Sequence, residues 1–193
     1  MDQPDTQIID GIEYPRVSRI LDFLPDPPAL AHWKATASDE KRAAAKLKGE
    51  QSAAVGTEVH RLISENEPPS EELTGYVAAQ KNWIYEEGVE IIKTEEKVWS
   101  VQFRYCGTMD ALVKIGGLYY IVDYKTGKKS GKHKNQGAAY RVAAGERFGI
   151  DIAGVRMVYL TSKGRYTQYI FYDTSISFLN FVTAIKLYEK RML

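Results

Sequence analysis

Residues 119–127, YYIVDYKTG, close an apolar strand on a carboxylate and an amine two positions apart, Asp123 and Lys125. Side chains alternate across a strand, so both groups face the same way. Upstream, Gly107, Thr108, Met109 and Asp110 open another apolar run, bringing a second carboxylate into a strand from a turn that needs glycine. A third acid stands in the polar start of the strand candidate 93–103, where Glu95 and Glu96 compete and alternation lets only one point inward. Acids gathered in this way repel one another unless a divalent ion offsets their charge. Hard cations such as Mg²⁺ take oxygen ligands and keep several waters, which suits carboxylates open to a phosphate. Phosphodiester cleavage is the natural chemistry of such a set.

Other residues could join it. His60 follows Gly56 by four positions in a helical pattern, so the two share a face, the glycine permitting close approach and the histidine reaching forward. Gln136 and Tyr140 are likewise one helical turn apart. Residues 125–134 hold Lys125, Lys128, Lys129, Lys132, Lys134 and His133 with no acid, and read either as a phosphate-binding loop or as a solvated one. Beside the catalytic motif, the phosphate role is favoured, with Lys128 and Lys129 on a strand backbone. Arg16, Ser18 and Arg19 could bind a terminal phosphate. Trp33, Trp83 and Tyr14 could stack on bases, although core packing is the commoner duty of such residues.

The elements that must position these groups are readable from periodicity. A tail at 1–14, with a turn at Asp10 and Gly11, precedes a short helix at 17–24 closed by Pro25, Pro27 and Pro28. Helices are expected at 29–37, at 39–48 between Ser38 as N-cap and Gly49 as terminator, at 52–66, and at 71–87 before Gly88. Strands are expected at 89–103, 108–115 and 118–124, the last two joined by a tight turn at Gly116 and Gly117. A helix at 134–148, strands at 153–160 and 166–172 around Lys163 and Gly164, and an amphipathic helix at 175–190 follow. This order fits an α/β fold, a mixed central sheet flanked by helices. With 193 residues and 44% apolar content, a single domain at 15–193 is the default, mainly helical at 15–88 with the catalytic core at 89–193.

Composition narrows the classes. A net charge of +1 does not announce a nucleic-acid binder, and the positive charge concentrates in the lysine run instead. The single cysteine, Cys106, excludes a disulfide within the chain, points to a reducing compartment and cannot hold an iron-sulfur cluster alone. No apolar run is long enough to span a bilayer, and the polar start MDQPDTQ is unlike a signal peptide, so a soluble, cytoplasmic protein is expected.

Taken in order, GTEVH, a glutamate, GTMD, DYKTG and QGAAY resemble the PD-(D/E)XK nuclease superfamily, specifically its RecB-like and phage-exonuclease branch. The opening YPRVSRIL, the segment TGYVAAQ and the spacing from the glutamate to GxxD look like the mitochondrial genome-maintenance exonuclease group and related phage enzymes. The resemblance implies a restriction-endonuclease-like core and a Mg²⁺- or Mn²⁺-dependent nuclease acting on DNA, single-stranded or at duplex ends. Phage or host recombination or replication proteins would be its partners. On the family's pattern, Glu95, Asp110, Asp123 and the backbone carbonyl of Tyr124 would hold one or two ions, with His60 beside them. Glu95 is preferred to Glu96 from its spacing to Val98 and Gly107. Lys125 would orient the nucleophile and offset charge on the phosphoryl oxygens, and Gln136 and Tyr140 would touch the substrate. A structure-selective endonuclease and an inactive nucleic-acid-binding adaptor are the alternatives, because a fold does not determine a substrate.

Overall fold

The computed structural model describes residues 5–192. Among them, five strands form a mixed sheet in the order β3 (Glu90–Ser100), β4 (Tyr105–Ile115), β5 (Leu118–Lys125), β6 (Ile152–Leu160), β7 (Tyr166–Phe171). The β3–β4–β5 meander is antiparallel, β6 runs parallel to β5, and β7 returns antiparallel to β6. The β4–β5 turn is the expected glycine pair, with φ of 57° at Gly116 and 85° at Gly117, values that match the twist of a tight hairpin. The parallel step needs a crossover, and α5 (Gly131–Phe148) supplies it.

Each face of the sheet buries its own core. On one, α1 (Val17–Leu21), α5 and α6 (Ser175–Met192) pack Ile20, Ala139, Ala143 and Phe181 against Val98, Met109 and Ile121. On the other, α3 (Asp39–Glu65) and α4 (Thr74–Glu87) set Val59, Ala79 and Trp83 against Ala111, Val122, Tyr124 and Val158. Trp83 is fully buried, and its indole N–H donates to Gln168 Oε1 at 3.1 Å, which ties α4 to β7. The architecture is a sheet flanked by helices, consistent with a restriction-endonuclease-like fold.

Several elements differ from the sequence expectation. In place of the tail, β1 (Thr6–Ile9) and β2 (Ile12–Pro15) form a hairpin through Asp10 and Gly11, both at positive φ. Residues 1–4 of that tail, and residue 193 of the expected domain, lie outside the described residues. Gly49 does not end a helix: α3 runs unbroken through it, because alanine, lysine, leucine and glutamate on both sides favour helix by more than one glycine costs. The left-handed cap falls instead on Asn66, φ 52°. Ser38 does accept from the Lys41 N–H at 3.4 Å, as an N-cap should. Preceding α3, α2 (Pro28–Thr36) contains no buried residue. A 3₁₀ turn, Glu71–Leu73, leads into α4. At the other end of the lysine run, α5 starts earlier than expected because Ser130 caps it, accepting from the Lys132 N–H at 3.3 Å. Lys132 and Lys134 therefore belong to a helix, and Lys128 and Lys129 to the loop before it.

Two glycines separate packing from propensity. A Cβ at Gly75 would run into the backbone of Ser162, whereas at Gly49 it would meet nothing within 4 Å. Gly75→Ala should destabilise by about 1–3 kcal/mol and Gly49→Ala should stabilise by about 0.5–1 kcal/mol. Urea unfolding midpoints moving in opposite directions are the expected result.

Candidate active site

The β4–β5 ladder runs from Ile115 opposite Leu118 to Ala111 opposite Val122. Beyond that point the side chain of Asp110 replaces the ladder, its Oδ2 accepting the Tyr124 N–H at 2.7 Å. On the other side of β4, the register sets Glu95 across from Asp110, between the pairs Thr94–Ala111 and Glu96–Met109. Glu95 has φ 48°, in the left-handed region that residues with a side chain seldom enter. Such strain costs of the order of 1–3 kcal/mol and tends to be held at functional sites. It also breaks strand alternation. Glu95 faces His60, while Glu96 pairs with Lys93 at 4.0 Å.

His60 reaches this point from α3. One turn earlier, Gly56 lets the helix approach the end of β5, since a Cβ there would lie 3.3 Å from Thr126 Oγ1. The His60 Nε2–H donates to the Tyr124 carbonyl at 3.0 Å, which turns Nδ1 toward Asp110 Oδ1 at 3.3 Å and Glu95 Oε1 at 3.9 Å. One ligand atom from each of His60, Glu95 and Asp110 lies within 4.8 Å of the other two. The Tyr124 carbonyl, expected as an oxygen ligand, here orients the imidazole, the arrangement usual for histidines that bind metal through the other nitrogen.

Asp123 and Lys125 face α5. Lys125 Nζ lies 2.6 Å from Asp123 Oδ2 and donates to Gln136 Oε1 at 3.2 Å. Gln136 Nε2 in turn donates to the Tyr140 hydroxyl at 3.3 Å. The Tyr140 ring fills space that Gly107 leaves open, for a Cβ at 107 would lie 2.6 Å from its Cε1. Gly107, Gln136 and Tyr140 thus form a support behind the lysine.

The electrostatics are those of a site short of positive charge. Burial and the Asp110 charge push Glu95 up to about 7. Burial pushes Asp123 up to about 6 against the opposing pull of Lys125. Asp110 is half-buried, and the His60 and Lys125 charges outweigh its desolvation and hold it below the usual carboxylate range. Burial would depress His60, yet Asp110 outweighs it and raises the imidazole to about 9. Lys125 is likewise buried, and Asp123 and Asp110 prevail to raise it, so it stays an ammonium ion. Asp123 Oδ1 is buried with no hydrogen-bond partner among the described residues. An imidazole nitrogen, two carboxylates at hand and a third with an unpartnered oxygen fit a divalent cation.

The other expected residues lie further out. Lys128 and Lys129 are exposed, Lys129 reaching the Tyr169 hydroxyl. Arg16 bridges to Cys106 through its backbone at the far end of β4, and Ser18 is exposed on α1. Tyr14 and Trp83 are core residues, whereas Trp33 is exposed on α2. One neighbour of the site, Tyr159, escaped the sequence reading. Tyr159 ends β6 level with Lys125, and its hydroxyl lies 3.0 Å from His133 Nδ1. The signal was available in principle, because a strand parallel to the DYK strand must end beside it.

A model of the PD-(D/E)XK nuclease superfamily matches residues 25–175, a span that contains His60, Glu95, Asp110, Asp123 and Lys125. The chain belongs to the PD-(D/E)XK nuclease superfamily. Nucleases of this superfamily use divalent metal ions, as the carboxylate cluster requires. Among solved structures, the chain is similar to one described as the crystal structure of SSO0001. The identity is 15% and the TM-score 0.42, over 91% of this chain and 83% of that one. No curated protein matches the chain.

Protons and a metal ion held at His60 and Glu95 would compete for the same atoms. Glu95 is protonated below about 7 and His60 below about 9, so a metal ion must displace protons from both. Mn²⁺ affinity measured by calorimetry should therefore rise as pH increases through about 7, with proton release visible as a buffer-dependent heat. Asp110→Asn should weaken binding at every pH.

Proposed function

We propose that this PD-(D/E)XK protein is a Mg²⁺- or Mn²⁺-dependent deoxyribonuclease, an exonuclease that acts at DNA ends and favours single strands. The observation that carries the reading is the juxtaposition of the His60–Glu95–Asp110 cluster with the Asp123–Lys125 pair at the divergence of β4 and β5. The RecB-like branch is the assignment that the order of motifs supports, and phage-type recombination, replication or repair is the setting that follows from it.

His60, Glu95 and Asp110 would hold the ion, with Asp123 as the further carboxylate. A bound ion supplies positive charge to the phosphoryl oxygens and lowers the pKa of water. The chain does the rest. Lys125, kept cationic by Asp123 and aimed by Gln136, orients the attacking water and stabilises charge that develops on the phosphate. An ammonium ion cannot accept a proton, so its role is electrostatic. On the α3 side, a cavity of about 540 Å³ lined by Gly56, His60, Arg61, Ser64 and Glu95 gives the substrate access to the ligand atoms. Lys128 and Lys129 supply phosphate contacts on the other side.

The test is digestion of end-labelled DNA with Mg²⁺ or Mn²⁺ against an EDTA control. Lys125→Ala should lower kcat by about 10²–10³ with little change in metal affinity, as for loss of one group that stabilises the transition state. Asp110→Asn and Asp123→Asn should lower both. Circular single strands should resist, and cleavage of them would replace the exonuclease reading with an endonuclease one. Cleavage that survives both EDTA and Lys125→Ala would refute the site. Changing Lys128 and Lys129 together to alanine should weaken DNA binding and flatten its salt dependence by about 0.7 per lost single-strand phosphate contact.

A further inference from the structure

Beside Lys125 on β6 and β7 lies a cavity of about 310 Å³ that the catalytic constellation does not use. Lys129, His133, Lys134, Tyr159, Tyr169 and Phe171 line it. Tyr159 joins it to the active site, because the parallel register puts this residue level with Lys125. The rings are held upright: Tyr159 and Tyr169 meet edge to face with centroids 5.9 Å apart. Lysines stand beside the rings, Lys129 at the Tyr169 hydroxyl and Lys134 4.7 Å from the Phe171 centroid. His133 adds no charge at neutral pH, since burial and the nearby Lys125 push it down to about 4. Helix α5 begins at the rim and turns its positive end to the same place.

Aromatic rings with cations beside them, next to the proposed phosphate-cutting centre, suit one group better than any other. An apolar ligand would leave the lysines without a purpose, and a bare phosphate would make no use of the rings. We propose that this cavity is the subsite for an unpaired nucleobase of the DNA strand, one that neighbours the phosphate being cut. The base stacks on Tyr169 and Phe171, Lys134 leaves the Phe171 face, and Lys129 and Lys134 reach the phosphates on either side of it. Stacking is tolerant of sequence because every base has a flat face. A base held here is turned out of any duplex, so the subsite selects single strands at the point of cleavage. The proposal rests on the reading of the protein as a DNA nuclease and names how it would recognise its substrate.

The experiment scans end-labelled single-stranded oligonucleotides that lack one base at successive positions, with binding to the whole protein measured in EDTA by fluorescence anisotropy. One missing base should weaken binding by about tenfold in the wild-type protein. Phe171→Ala and Tyr169→Ala should weaken binding of the intact strand by a similar factor and abolish the penalty for the missing base. Phe171→Leu and Tyr169→Leu, which keep the apolar bulk, secure the comparison should either alanine variant unfold. An equal penalty in variant and wild type would overturn the proposal. So would indifference to a missing base at every position, or a free nucleoside monophosphate competing at the cavity without displacing the strand. Cleavage with Mg²⁺ or Mn²⁺ is scored separately on the intact strand. A strand that binds with the expected base dependence but is never cut would refute the nuclease reading and leave the subsite standing.

Discussion

Three carboxylates crowd together where β4 and β5 part, and the groups around them are arranged to offset their repulsion. Asp123 is buried, Asp110 is half-buried, and Glu95 lies against Asp110. Charges at such distances interact several times more strongly than in water. The protein offsets them from two directions, with His60 from α3 and Lys125 from within β5. The compensation is partial, which is why Glu95 and Asp123 keep their protons to higher pH than ordinary acids while Asp110 does not. Partial compensation is what leaves room for a metal ion. A fully neutralised cluster would be more stable and would have less to gain from a cation.

The split between β4 and β5 makes this geometry available. A continued ladder would satisfy the Tyr124 N–H with backbone and leave Asp110 as one more residue of a pleated strand. Because Asp110 accepts that N–H with its own side chain, the strands part without an unsatisfied donor, and the carboxylate comes to lie between the two faces of the sheet. Each face then contributes through its own core. Val59 and Leu62 anchor α3 one turn or less from His60, so the imidazole is presented by a rigid stem. On the opposite face, Ala138, Ala139 and Ala143 seat α5 closely enough for Gln136 to reach Lys125. Two separate cores thus aim two kinds of side chain at one opening.

How much of this was legible in sequence varies with the range of the interaction that decides it. Asp123 and Lys125 share a face because strand alternation is local, and the glycine turn at 116–117 was as readable. His60 with Gly56, and Gln136 with Tyr140, follow from helical spacing. The competition between Glu95 and Glu96 could not be decided by alternation, because the left-handed backbone at Glu95 suspends the rule at that residue. Gly49 misled because glycine marks helix ends only where a left-handed residue is needed, and Asn66 supplies that conformation further on. The hairpin at 6–15 is short and largely exposed, so it lacks the apolar alternation that identifies a strand. Tyr159 was hidden for a deeper reason: its nearness to Lys125 exists only once β6 has paired with β5 across the whole of α5.

That last point extends to the entire site. His60 comes from α3, Glu95 from β3, Asp110 from β4, Asp123 and Lys125 from β5, and Gln136 from α5. Few of these groups are neighbours in the chain, so no local segment can assemble even a minimal ligand set, and the unfolded chain offers a cation nothing comparable. The ion would therefore bind the native state almost exclusively, and its binding would raise stability by an amount that grows with the ratio of free ion to Kd. The repulsion among the acids is a cost incurred in the metal-free protein that a bound cation would offset. A site built in this way couples folding, metal capture and substrate access through the same few atoms. The orphaned oxygen of Asp123, buried and without a hydrogen-bond partner among the described residues, is where that coupling is most exposed to view.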